Sequence, residues 1–195
     1  MADQPLDIGL LGYRFMGRAH ANALDRLPMF FPDAPAVNKA VLVGRNGETL
    51  RDAADRLGFD STTTDWEVAV EAADVFYNLG PNHLHVEPSV AALEAGTPVL
   101  CEKPLAPTRE GAERMAAAAR ETEVPAATAF NYRYVPAIQY ARTLIADGAL
   151  GEIRRSAVTT GRTGWSTPKR RGPGGVTRTS RAAARSVTSG RTRSI

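Results

Sequence analysis

The chain of 195 residues has a single cysteine, Cys101, and no apolar run that approaches the length needed to cross a bilayer. One cysteine excludes an intramolecular disulfide, which fits a reducing compartment. Cys101 ends an apolar run and has no assignable general base, so we interpret it as a buried structural thiol. The polar, acidic N-terminus does not have the pattern of a signal peptide. We therefore expect a cytoplasmic protein without a membrane partner.

Acidic residues are missing from the last part of the chain. All 21 Asp and Glu residues precede Thr159, where there are 15 Lys and Arg residues, whereas residues 159–195 carry nine basic residues and no acidic one. Gly, Arg, Ser and Thr dominate this segment without an apolar period, which predicts disorder. A basic tail can bind nucleic acid. Trp165 is its one aromatic residue, however, so stacking on bases is unsupported and nucleic acid is not the expected partner.

Histidine is also scarce, at three residues. His83 and His85 have no third ligand nearby, so their spacing makes a poor metal site and no metal is predicted. His20 falls on the first predicted helix and is interpreted as a packed or capping side chain rather than an acid–base catalyst.

The stretch of sequence that best indicates the fold lies near the start of the chain. An apolar run over residues 6–11 ends at Gly12, Gly17 follows, and apolar residues then recur at helical spacing. A strand, a tight glycine turn and a helix are how a dinucleotide-binding fold begins. Backbone N–H groups at such a helix N-terminus suit a pyrophosphate, although Arg14 stands where the middle glycine of G-x-G-x-x-G is usual. The candidate cofactor-binding residues of this turn are Gly12, Tyr13, Arg14, Phe15, Met16 and Gly17.

Strand and helix patterns then alternate, which predicts an α/β fold with a doubly wound parallel sheet of the Rossmann type. Ligands of such sheets bind outside the carboxyl ends of the strands, where this chain concentrates its polar and glycine residues. After the first unit, the predicted strands span residues 39–43, 74–79, 98–101, 126–129 and 151–158. The predicted helices span residues 48–57, 66–72, 85–95, 109–121 and 136–146, with residues 28–38 as a proline-rich loop.

Lys103 follows the strand at residues 98–101 directly and precedes Pro104, which disfavours a helical conformation there. Its ammonium group could point into the crevice and donate a hydrogen bond or move a proton, or it could be a solvated surface lysine. Lys39 is the one other lysine before the tail, which favours the functional interpretation. Asn82 follows another strand end, where it could cap a helix, contact ribose or nicotinamide, or do both.

Arg45 follows the second strand, where NAD-specific sites place Asp or Glu to hold the ribose 2′-OH. The sequence Gly44-Arg45-Asn46 has no carboxylate, and a small residue followed by arginine suits a 2′-phosphate. Arg14 adds a second positive charge, although both arginines could simply be solvated. The expected cofactor is NADP or NAD, with NADP slightly favoured.

Four blocks of the sequence together resemble the glucose–fructose oxidoreductase / inositol dehydrogenase (Gfo/Idh/MocA) family. They are G-L-L-G-Y-R-F-M-G-R-A-H, G-P-N-H-L-H, C-E-K-P-L-A and F-N-Y-R, of which E-K-P is the most specific. The resemblance covers about residues 6–158. It implies an N-terminal Rossmann domain, a C-terminal α/β domain, and NAD(P)-dependent hydride transfer on a sugar, inositol or related polyol. Full-length members are expected to be homo-oligomers.

The resemblance also implies roles for individual residues. Asn82 and His85 would line the nicotinamide side, and Glu102 would belong to the cofactor-binding set. Lys103 would contact substrate and nicotinamide as the catalytic residue, with Arg133 near the same pocket. The family's other catalytic group is a histidine beyond the Rossmann domain, and this sequence has none after His85.

The predicted organisation is a dinucleotide-binding domain over residues 1–125, a crossover towards the C-terminal domain over 126–158, and the basic tail over 159–195. We expect a chain that binds cofactor but is catalytically incomplete. The abrupt change of composition near Thr159 predicts a shift of reading frame at that point. Two alternatives remain open, a non-catalytic dinucleotide-binding or sensor protein and a nucleic-acid-binding protein that acts through the tail.

Overall fold

The computed structural model describes residues 4–155, which contain six strands and six α-helices. The strands are β1 (Leu6–Leu11), β2 (Val37–Val43), β3 (Ser61–Thr63), β4 (Val75–Asn78), β5 (Val99–Cys101) and β6 (Ala126–Thr128). The helices are α1 (Phe15–Phe30), α2 (Gly47–Leu57), α3 (Trp66–Glu71), α4 (Val86–Glu94), α5 (Arg109–Thr122) and α6 (Pro136–Ala146). Two short 3-10 turns span Asn82–Leu84 and Asn131–Tyr134.

The strands form one sheet in the order β3-β2-β1-β4-β5-β6, and every pair is parallel. This confirms the predicted doubly wound Rossmann sheet. The chain enters at β1, builds outward to β3, and then crosses back to place β4 on the other side of β1. The carboxyl ends of β1 and β4 therefore diverge into loops that leave a crevice at the point where the strand order reverses.

The core has two parts that contain alternating residues of the central strands. Leu10 and Leu42 pack with Leu50 and Phe59, together with Ala21 of α1. The neighbouring residues of those strands, such as Leu11 and Val43, contribute to the second part with Phe76, Leu93 and Met115. Burying one such large side chain stabilises a fold by about 1.5–3 kcal/mol. These two clusters hold the strand ends, and the loops that follow them, in fixed positions.

The structure differs from the sequence-based expectation in three places. β3 was not predicted, since Ser61–Thr63 is short and polar and reaches the sheet by pairing with β2. α1 continues to Phe30 and takes Pro28 into its last turns, so the predicted loop begins later than expected. Residues 151–155 form no strand, and the rest of the predicted strand at 151–158, like the predicted disordered tail, lies outside the described residues.

Helix caps and one lysine stabilise the connections of the sheet. Asp65 and Thr108 cap α3 and α5 as their sequence positions indicate, and Asn46 caps α2. Lys39 of β2 donates to Asp25 Oδ1 at 2.6 Å and to the Leu57 carbonyl at the end of α2. None of the helices among residues 4–155 is long and apolar enough to cross a membrane.

Candidate cofactor-binding site

Two glycines shape the turn between β1 and α1. Gly12 has a φ of +102°, and a Cβ there would lie 2.7 Å from the Leu79 carbonyl oxygen. A Cβ on Gly17 would lie 2.1 Å from the Gly12 carbonyl oxygen. Both distances are far below van der Waals contact, so only glycine fits at either position. The turn therefore brings the start of α1 close against the end of β1.

The N-terminus of α1 is open towards the crevice. Arg14 is the N-cap residue, its side chain makes no capping hydrogen bond, and the first turn contains no acidic residue. The first N–H groups of a helix have no partner within the helix and carry a partial positive charge. Phe15 and Met16 line the crevice, and the Phe15 side chain is 80% exposed. This arrangement suits an anionic group such as a pyrophosphate.

The crevice has a volume of about 380 Å³ and lies at the carboxyl edge of the sheet. Its walls are the glycine turn, the end of β2 and the loop after β4. Seven sequence-predicted residues meet there, namely Gly12, Tyr13, Arg14, Phe15, Met16, Gly17 and Arg45. No Asp or Glu is among the residues that line this crevice. Its charge is therefore set by arginines and by the helix N-terminus.

The loop after β4 is fixed by a buried asparagine that sequence reasoning missed. Asn78 is fully buried, and its Nδ2 donates to the Leu84 carbonyl at 2.9 Å, the His85 carbonyl at 3.1 Å and Ser89 Oγ at 3.0 Å. A polar residue that ends an apolar strand was the available signal. Asn78 thereby holds the turn that carries Asn82, whose own side chain is exposed.

Replacing Asn78 by Ala is expected to destabilise the protein by about 2–3 kcal/mol, because it removes the hydrogen bonds from its Nδ2 to two loop carbonyls and to Ser89 Oγ inside the protein. Urea unfolding followed by circular dichroism measures this loss. Asn22→Ala is the matched control, because Asn22 is exposed on α1 and bonds only Arg26 in the described structure. An equal, small loss in both variants would contradict the structural role of Asn78.

His85 is buried, with 1% of its surface exposed. Its Nδ1 lies 2.8 Å from the Pro104 carbonyl oxygen and its Nε2 lies 2.9 Å from the Gly80 carbonyl oxygen. The ring therefore ties the loop after β4 to the segment after β5. Any effect of His85 on a bound cofactor is transmitted through these two loops.

Glu102 and Lys103 follow β5 directly and point in different directions. The Glu102 carboxylate is nearly buried, accepts the Lys103 backbone N–H at 2.9 Å, and lies 3.3 Å from His20 Nε2. His20 also contacts the Tyr77 ring edge to face at 5.7 Å, so it is packed, as expected. Lys103 is exposed, and its peptide bond to Pro104 is cis.

Lys103 and Arg133 share a second cleft of about 330 Å³, formed with residues of the turn after β6. The Arg133 guanidinium lies 5.8 Å from the centre of the Phe130 ring. Asn131 and Tyr132 complete the wall. The structure thus brings two sequence-predicted basic residues together at the carboxyl edge of the sheet, in a cleft whose lining is separate from that of the crevice.

Cys101 and the histidines show no sign of metal or thiolate chemistry in the described part of the chain. Cys101 is buried, and burial raises the pKa of its thiol to about 12. A thiol with that pKa is protonated at neutral pH and is a poor nucleophile. Among residues 4–155 no group of three or more His, Cys, Asp or Glu side chains is placed to hold a metal ion.

Comparison with known proteins identifies the family. Residues 6–130 match the model of the oxidoreductase family with an NAD-binding Rossmann fold, Gfo/Idh/MocA. The chain is 42% identical to levoglucosan dehydrogenase of Pseudarthrobacter phenanthrenivorans over 153 residues, which are 77% of this chain and 39% of that protein. It is 30% identical to glucose-6-phosphate 3-dehydrogenase of Bacillus subtilis over 146 residues, which are 75% of this chain and 39% of that protein.

Solved structures give the same result. The complex of levoglucosan dehydrogenase with NADH superposes with a TM-score of 0.73 at 42% identity, covering 76% of this chain and 41% of that one. An oxidoreductase domain protein from Kribbella flavida has a TM-score of 0.72 at 45% identity, again over 76% and 41%. The chain thus spans about two fifths of the length of these relatives. With its Rossmann sheet and uncapped glycine turn, it belongs to the Gfo/Idh/MocA family of NAD-binding oxidoreductases.

Proposed function

We propose that this chain is the nucleotide-binding part of an oxidoreductase that transfers hydride between NAD(P) and a sugar, inositol or related polyol. The observation that carries the proposal is the crevice at the switch point of the sheet. Its two obligatory glycines leave space that any Cβ would fill, and it opens onto an uncapped helix N-terminus. The residues present therefore fit a dinucleotide pyrophosphate.

The individual roles follow from position. The backbone of residues 12–17 would hold the pyrophosphate, and Arg14 and Arg45 would face the adenosine end. When bound, the nicotinamide supplies the hydride acceptor or donor. Lys103 would orient the substrate hydroxyl and hold or release its proton, because its ammonium is exposed beside Arg133 in the second cleft. Asn82 is exposed on the loop that borders the crevice and is available to the nicotinamide side.

Buried neighbours would keep these groups in place. Glu102 accepts the Lys103 N–H and contacts His20 of α1, so it fixes where the Lys103 side chain leaves the backbone. His85 holds the Gly80 and Pro104 carbonyls on either side. We assign Glu102 and His85 positioning roles, since neither carboxylate nor ring is free to reach solvent.

Titration of the protein with NADH and NADPH tests the proposal directly. Fluorescence of the reduced nicotinamide should rise and shift on binding, with saturation at one site per chain. Gly17→Val is the matched negative control, because the added side chain would overlap the Gly12 carbonyl and close the turn. If neither nucleotide binds to folded wild-type protein, the proposal is wrong.

NADP(H) is expected to bind at least as well as NAD(H), because Gly44-Arg45 stands where a carboxylate would select NAD. Arg45→Ala should weaken NADPH binding about tenfold or more while leaving NADH binding nearly unchanged, since a charge-assisted phosphate contact contributes about 1.5–3 kcal/mol. The same fluorescence titrations measure both constants. Much tighter NADH binding, with a ratio that Arg45→Ala does not alter, would refute this expectation.

The substrate class is proposed from the relatives, which include a levoglucosan dehydrogenase and a glucose-6-phosphate 3-dehydrogenase. Polyhydroxylated rings suit a cleft that offers a lysine, an arginine and an asparagine as hydrogen-bond donors. We also propose that the 195-residue chain binds cofactor without completing the reaction. A dinucleotide-binding or sensor role is the alternative that this incompleteness would favour.

A further inference from the structure

The space beside Gly44 at the end of β2 is occupied by the ring of Tyr13. A Cβ on Gly44 would lie 2.3 Å from Tyr13 Cε1 and 2.7 Å from Tyr13 Cδ1. These distances are too short for any side chain at position 44 unless the ring moves away. Tyr13 belongs to the glycine turn and Gly44 to the end of β2, so this contact joins two of the three walls of the crevice.

The Tyr13 ring is held from its far end. Its hydroxyl lies 3.0 Å from Thr49 Oγ1 in the first turn of α2. The Asn46 side chain is engaged as the cap of that helix, where it accepts from the N–H groups of Glu48 and Thr49. The ring is therefore held in place beside Gly44, and the Asn46 Oδ1 is engaged by the N-terminus of α2.

The charged residues that line the two cavities beside Tyr13 are all basic. Tyr13 and Arg14 line both the crevice and an adjoining groove of about 730 Å³, to which Arg18, Thr49 and Arg56 also contribute. None of the ion pairs found among the described residues includes Arg14, Arg18, Arg45 or Arg56. With no carboxylate on the crevice wall, the adenosine end is lined by hydroxyl and guanidinium donors.

We propose that Tyr13 is a specificity-determining residue for the cofactor, a role that rests on the proposed NAD(P) binding. Its ring takes the place of a side chain at position 44, so it excludes the carboxylate that would hold a ribose 2′-OH. The donors that remain, on Tyr13, Arg14 and Arg45, match a 2′-phosphate. Tyr13 and Gly44 act as a complementary pair, and a change of cofactor preference requires both to change.

The test measures NADH and NADPH dissociation constants for five forms of the 195-residue chain. They are wild type, Gly44→Asp, Tyr13→Ala, the double variant of these two, and Tyr13→Phe. Gly44→Asp alone should weaken NADPH binding at least about tenfold without a matching gain for NADH, because the carboxylate and the ring compete for one space. The double variant should bind NADH better than NADPH. Tyr13→Phe keeps the ring, so it should retain the NADPH preference with a loss of no more than about fivefold.

A stability measurement reports the steric contact independently of binding. Gly44→Ala should lower the thermal midpoint in the wild-type background and lower it much less in the Tyr13→Ala background, since the ring is then absent. Equal losses in both backgrounds would overturn the proposed pair. So would an inversion of preference by Gly44→Asp alone that equals that of the double variant. Failure of wild type to bind either nucleotide would instead refute the proposed function itself.

Discussion

Purified protein of this 195-residue sequence is expected to bind reduced nicotinamide cofactor and to oxidise no sugar, inositol or polyol at a measurable rate. One reason is that the second catalytic group implied by the family resemblance, a histidine beyond the Rossmann domain that would act beside Lys103, has no counterpart after His85 in these 195 residues. The three histidines of the chain are His20, which contacts Glu102, His85, whose ring is buried between two carbonyls, and His83, which is exposed on the loop after β4. A positioned acid–base group contributes about 10²–10⁴ in rate.

Positioning of the substrate contributes more to the reaction rate than acid–base catalysis does. Lys103 and Arg133 line a cleft of about 330 Å³ in which Tyr132 is 78% exposed, so the described part of the chain does not enclose a bound ring. Holding two reactants in productive geometry is equivalent to effective concentrations of about 10⁵–10⁸ M. Both contributions are needed for turnover, and we expect the rate to fall by many orders of magnitude without them.

Absorbance at 340 nm, followed with NAD and NADP and a panel of polyols that includes levoglucosan, checks this expectation. A levoglucosan dehydrogenase serves as the positive control for the panel. Substrate-dependent reduction that disappears in Lys103→Met would contradict the expected inactivity. Cofactor binding without reduction agrees with the expected inactivity. Resequencing of the gene then distinguishes an incomplete enzyme from a sensor.

The sequence predicted those site residues whose structural requirement arises within one short segment of the chain. Gly12 and Gly17 lie five residues apart, and their need for glycine comes from the turn that they form themselves. Lys103 could be placed for a similar reason, because it follows a buried strand directly. The positions of these three residues along the chain were therefore enough to predict them. In the structure all three lie at the carboxyl edge of the sheet.

The parts that the sequence did not predict depend on contacts between distant segments. His20 and Glu102 are 82 residues apart, and Tyr13 and Thr49 are 36 apart, so no local period indicates either contact. β3 is a strand because β2 offers it an edge, although Ser61–Thr63 has no apolar pattern. His85 was expected at the nicotinamide side by resemblance, while its buried hydrogen bonds become visible only with the fold.

We propose that a shift of reading frame near Thr159 produced the basic tail. The expected consequence for catalytic activity is large. Residues 159–195 contain no Asp or Glu, whereas the preceding part of the chain contains 21. A loss of acidic residues together with the apolar period is what out-of-frame, GC-rich coding would give. A genuine disordered basic segment is the alternative.

The proposal can be examined at the level of codons. Joining the third base of each codon to the first two bases of the next, residues 162–177 permit D-W-L-V-D-P-E-A-P-W-S-W-R-x-D. Residues 182–195 permit G-G-A-L-G-D-V-G-A-H-S-I-D. Both strings resemble the stretch that the Gfo/Idh/MocA family carries just after its Rossmann domain, including a D-x-G-x-H segment with the catalytic histidine. Degenerate third bases make any single match easy, but a long consecutive run of matches is not.

Resequencing the gene through the codon of Thr159 decides the question. We expect a single inserted or missing base near that codon, and we expect the corrected frame to encode the two strings. Protein expressed from the corrected gene should then show substrate-dependent reduction at 340 nm that the 195-residue chain lacks, and Lys103→Met should abolish it. An intact frame through residue 160, with codons that cannot encode those strings, would establish the tail as genuine and refute the frameshift.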